Sequence, residues 1–200
     1  MKNMTLQINS LRFISFISLA VLVLFASCKD DDPKPGNEEE LITTVTLNFQ
    51  KTEGENTIGD VLTFHWKDMD GAGSGVPVIE DIVLEPNSTY ALSIQLKNES
   101  NPNDVEDITA EVEEEGAAHQ FFFTPSSALD IIHAYQDEDS NGNPIGLENI
   151  ITTGDASEGT LNLTLRHNPI KNANGVMQGD ITNAGGDTDV AVSFNVLIAE

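Results

Sequence analysis

The chain has 200 residues, with 33 acids against 9 lysines and arginines, a formal charge of −24 and a single cysteine. So acidic a polypeptide is repelled by nucleic acid and by anionic membrane surfaces, and it attracts cations. One cysteine excludes an intrachain disulfide. The core must therefore come from packing alone, which a domain of roughly 160 residues can supply.

The first predicted element is a secretory signal over residues 1–27. Phe13 to Ala26 is a run of fourteen uncharged residues behind Lys2 and Arg12, and Ala26-Ser27 immediately precede Cys28. This is the pattern of a leader whose cysteine becomes the lipid-bearing first residue of the mature protein. As a helix the run would rise about 21 Å, short of the roughly 30 Å hydrocarbon core, so a transmembrane anchor is the weaker reading. Lys2 and Arg12 leave with the signal and take the formal charge from −24 to −26. Residues 28–40 continue as an acidic tether, Asp30 to Glu40 reading DDDPKPGNEEE without an apolar side chain. Cys-Lys-Asp-Asp at its head resembles the signal that sends lipoproteins of one Gram-negative lineage to the outer face of the outer membrane, with the periplasmic face as the alternative.

From Leu41 onward the pattern has period two. Val45, Leu47 and Phe49 alternate with polar residues, as do Leu62, Phe64 and Trp66, then Tyr90, Leu92, Ile94 and Leu96. Leu161, Leu163 and Leu165 repeat the pattern, and Val190, Val192, Phe194, Val196 and Ile198 close the chain. Gly, Pro, Asn and Asp clusters bound these segments, which predicts an antiparallel β-sandwich, Ig-like or jelly-roll-like, over residues 41–200. One short acidic helix interrupts it. Val105, Ile108 and Val112 fall at helical spacing within Asp104 to Ala118, with Asp104 as the cap.

Three groups of residues carry candidate chemistry. Asp137, Asp139, Asn141, Gly142 and Glu148 match the spacing of a calcium loop, in which oxygen donors at alternate positions wrap a hard cation. Ala128 to Gln136 is compatible with a helix before it, but Pro144, Gly146 and the run Ile150 to Thr153 favour a strand after it, so the expectation is a hairpin loop rather than an EF-hand. Asp68 and Asp70 ahead of Gly71 form a weaker echo, with Ala72 at the third donor position. His119 shares the parity of Phe121 and Phe123, and His167 extends the row Leu161-Leu163-Leu165. Both are expected to face inward at strand ends, where two imidazoles and a carboxylate would suit zinc or copper if their side chains come within about 8 Å. His65 and His133 stand alone and read as surface or packed side chains. The spacing of a nucleophile elbow is absent around Ser74.

The stretches around Trp66, the E-E-x-x-x-x-H-Q-F-F-F run at His119, D-x-D-x-N-G-x-P-x-G-L-E from Asp137 and T-L-x-L-T-L-R-H-x-P ending at Pro169 are together similar to a family of small surface lipoproteins of Bacteroidota-like bacteria. Its members go by the name "type 1 periplasmic binding fold superfamily" and resemble accessory lipoproteins of TonB-dependent receptors. The resemblance implies a role in outer-membrane uptake, a TonB-dependent receptor as partner and a small ligand. The two-lobed α/β architecture that the name denotes conflicts with the alternation seen here. The expected function is a non-enzymatic module, lipid-anchored at the outer membrane, that binds a cation or small solute. The alternatives are a metal-dependent hydrolase using His119 and His167, and a purely structural or adhesive surface module.

Overall fold

The computed structural model describes residues 40–70 and 75–200; the predicted signal, Cys28, nearly all of the predicted tether and residues 71–74 lie outside them. The described chain is mostly strand, 50% against 10% helix, in two sheets with one α-helix. The predicted β-sandwich is the observed fold.

The larger sheet is built on β1 (Thr44–Glu53), which pairs antiparallel with β3 (Leu62–Lys67) on one side and β6 (Thr89–Asn98) on the other. Short β2 (Asn56–Thr57) pairs with β1, and β4 (Val78–Ile79) pairs with β3 at the edge. Beyond β6 come β10 (Glu148–Thr153) and then β9 (Ile131–Tyr135), while β7 (Glu106–Asp107) pairs with the end of β6. The smaller sheet has the order β5, β12, β11, β8, with spans Ile82–Leu84, Asp187–Ile198, Ser157–His167 and His119–Pro125. Its pairings are antiparallel except β5, which runs parallel to β12.

Register explains the core. Val45, Leu47 and Phe49 stand opposite Leu96, Ile94 and Leu92, so the apolar face of each strand continues across the sheet. In the other sheet Leu161, Leu163 and Leu165 face Phe194, Val192 and Val190. Both rows are buried and form one cluster between the layers, as period-two patterning requires when one face of each sheet meets the other. Burying each such side chain stabilises the fold by about 1.5–3 kcal/mol.

Two local expectations are corrected. The helix α1 spans Ile108–Glu114 and begins four residues later than Asp104; its cap is Asp107, whose carboxylate accepts from the Thr109 amide. Val105 is 49% exposed and forms no part of its buried face, which Ile108 and Val112 supply. Residues 131–135, read as compatible with a helix, form β9, because pairing with β10 outweighs the local preference. The segment between β9 and β10 is a hairpin loop, as expected.

The segment between β11 and β12 is an excursion carrying two 3-10 turns, Val176–Gln178 and Ile181–Asn183. It covers the outer face of β8 with a small cluster of Phe122, Val176 and Ala184. The Gln120 amide donates to the Val176 carbonyl at 2.9 Å and pins the excursion there. β8 is thereby buried on both faces, and the three phenylalanines 121–123 are all buried.

Candidate metal centre

His119 opens β8 and His167 closes β11, and the antiparallel register sets them directly opposite each other. Their rings are 4.7 Å apart between centroids, inside the limit that one shared ion allows. Both lie on the core side, as their parity predicts, and His119 is 0% exposed.

Glu40 reaches the same point from the other sheet. It stands four residues ahead of β1, and its Oε1 lies 3.6 Å from His119 Nε2. Ligand atoms of Glu40, His119 and His167 all lie within 4.8 Å of one another, the one such His, Cys, Asp or Glu triplet among the described residues. Although the composition of residues 28–40 is that of a solvated tether, the Glu40 side chain is only 9% exposed.

A fourth group comes from β12. Leu165 faces Val190 but Arg166 faces Thr188, so Asp189 is the extra residue of a β-bulge. Strict alternation with Val190 would send its side chain outward; instead it is fully buried. Its Oδ2 lies 3.7 Å from His119 Nε2 and its Oδ1 3.6 Å from His167 Nδ1.

The electrostatics of this cluster follow first from burial. Burial, followed by the nearby charges of Asp189, Glu111 and Glu115, pushes the Glu40 carboxyl up to about 7. Burial lowers the His119 pKa, which keeps that ring neutral, the form a metal needs. His119 Nδ1 lies 3.1 Å from the Glu115 carbonyl. A carbonyl only accepts, so Nδ1 holds the proton and the Nε2 lone pair points at Glu40 and Asp189. Among the described residues that buried Nε2 has no hydrogen-bond partner. A backbone carbonyl fixing the far nitrogen is the usual outer support of a metal-binding histidine.

The calcium-loop residues are arranged differently. Both oxygens of Asp137 accept backbone amides, Oδ1 from Gly146 and Oδ2 from Leu147 and Glu148. Asp139 Oδ1 accepts from the amides of Asn141 and Asn143, and its Oδ2 accepts from Lys171 at 3.0 Å. The Lys171 ammonium also donates to the carbonyls of Gly116 and Pro144 at 2.6 and 2.9 Å, so a buried cation of the chain's own sits among this loop's oxygens. Asn141 and Glu148 are exposed, and the loop's carboxylates do not form a triplet of the kind seen at Glu40. The Asp70 side chain beside it is the leading cause of a raised Asp68 pKa, so the two carboxyls are close neighbours.

Of the other two histidines, one lies at the surface and one is packed, within the two readings expected of them. His65 pairs with Glu80 at the surface, and His133 stacks on Phe123 and meets Asn149 at 2.8 Å. Between α1 and the hairpin loop lies a groove of about 580 Å³, lined by Ile94, Ile145 and Leu147 together with Glu113, Asp137 and Glu148.

No helix among the described residues is long and apolar enough to cross a membrane. Neither a protein-family model, a curated protein nor a solved structure matches the chain.

Proposed function

We propose that this chain is a lipid-anchored outer-membrane module whose sandwich binds one borderline transition-metal ion, zinc or copper, without catalysing a reaction. The convergence of Glu40, His119 and His167 within 4.8 Å in a buried pocket carries the metal reading. Imidazole nitrogens and carboxylate oxygens are the donor set that such ions select. The anchoring half rests on the leader and Cys28, and service to a TonB-dependent receptor rests on the resemblance of the chain to surface lipoproteins. Burial of the donors speaks against the hydrolase alternative, since a catalytic metal keeps a position open to water and substrate.

The test is calorimetric titration of the purified, chelator-stripped protein with Zn²⁺. One equivalent binds, and His119→Ala weakens binding more than about 100-fold, beyond what loss of an outer support costs. Equal affinity in the variant would sink the metal assignment. For the anchor, Cys28→Ser releases the protein from the membrane fraction; unchanged membrane retention would end that half.

A further inference from the structure

We propose that the groove between α1 and the β9–β10 hairpin loop is a second binding site, for a small organic cation: an ammonium group carried on an apolar body. None of Glu40, His119 and His167 lines this groove, so the site is separate from the metal centre and does not depend on the metal reading.

The groove holds about 580 Å³. That lies within the roughly 300–1,000 Å³ typical of small-molecule sites and is far more than a bare ion fills. Ile94, Ile145 and Leu147 give it aliphatic lining, while Glu113, Glu114 and Glu148 give it carboxylates. Apolar surface combined with one sign of charge selects a ligand that has an apolar part and the opposite sign.

The acids stand where the fold favours bases. Cations are stabilising in the last turn of a helix, but α1 has none there, and Glu115 is its cap. On the hairpin side, burial and then the charges of Asp137 and Glu113 push the Glu148 pKa up. The chain supplies no cation of its own to these groups. Among the described residues no lysine, arginine or histidine pairs with Glu113, Glu114 or Glu148. The Lys171 ammonium is engaged by Asp139 and two carbonyls. A local conflict of this kind costs stability and is expected where function requires it; a bound cation would relieve it.

Both walls are fixed in advance. Asp137 clamps the hairpin side by accepting the amides of Gly146, Leu147 and Glu148. On the helix side Thr109 Oγ1 accepts from the Leu96 amide at 2.9 Å and donates to the Leu96 carbonyl at 3.1 Å. Binding therefore orders little of the protein, which favours affinity for a small ligand.

Phenethylamine is a minimal probe with both parts; phenethyl alcohol lacks the charge and methylamine lacks the apolar body. Each is titrated into chelator-stripped, isotope-labelled protein and followed by amide chemical shifts. Phenethylamine moves the amides of the last turn of α1 and of the hairpin loop together, and the two controls bind at least about tenfold more weakly. The double variant Glu113→Gln, Glu148→Gln, at two exposed positions, weakens phenethylamine binding by about tenfold or more. Shifts scattered over the surface, equal affinity for the alcohol and the amine, or a double variant that binds as wild type does overturns the site. Displacement of the amine by millimolar Ca²⁺ would mark an inorganic cation site, and tighter binding of trilysine a basic protein segment; either result overturns the small organic cation. The outcome of the zinc titration bears on none of these results.

Discussion

Glu40 shows how much a single position can respond to its surroundings. In the unfolded chain its carboxyl ionises near 4.5, but in the metal-free fold burial and its acidic neighbours raise it to about 7. A raised carboxyl contributes stability that is fully present below the unfolded value and is lost as pH rises through the folded one. The thermal midpoint of chelator-treated protein therefore falls between pH 5 and 8, and Glu40→Gln flattens that slope; an identical slope in the variant would refute the account. Zinc binding has to expel the proton from Glu40, so affinity rises toward neutral pH and calorimetry below pH 7 detects proton release. The two histidines of this centre were legible in the sequence because parity with Phe121 and Leu165 is a reliable guide within a strand. Glu40 was hidden by the composition of residues 28–40. Asp189 was hidden by a bulge, which inverts parity without leaving any mark in the residue types around it.

At the level of elements, two connections hold the centre in shape. The excursion from β11 to β12 returns through Gly186, whose φ is +70°. A Cβ there would sit 2.2 Å from the His167 carbonyl oxygen, closer than any side chain tolerates. Gly186→Ala should cost about 1–3 kcal/mol for the backbone alone and displace His167. Zinc affinity and urea midpoint should then fall together; a loss of neither would show that the close approach is dispensable. The hairpin loop between β9 and β10 is held by Lys171, whose ammonium ties Asp139 to the carbonyls of Gly116 and Pro144. Gly116 begins the 3-10 turn that leads straight into His119. Lys171→Met leaves a buried carboxylate uncompensated, a loss of about 3–5 kcal/mol, read by urea denaturation. A loss below about 1 kcal/mol would mean that the ammonium is replaceable by water. The hairpin itself was legible from its turn residues, but Lys171 lies 32 positions from Asp139. Local spacing carries no information about a contact of that separation.

For the molecule as a whole, strand alternation carried the architecture, since both apolar rows of the core follow period two without exception from Leu161 to Leu165 and from Val190 to Ile198. What alternation could not supply is the order of strands, which depends on pairings between distant segments such as β5 with β12. If the proposed centre binds zinc, the ion would stabilise the native state by mass action, about 2.7 kcal/mol when free zinc is 100 times the dissociation constant. The thermal midpoint should therefore rise with zinc in the wild type and stay fixed in His119→Ala; a rise in both would place the zinc elsewhere. The position of β1 has a mechanical consequence. It is bonded along one side to β3 and along the other to β6, and the chain enters it directly from Glu40. A pull applied ahead of that residue loads both ladders in shear, so many bonds must yield together instead of unzipping one by one. With an ion gripping Glu40, the tension would be passed to the opposite layer before it reached β1.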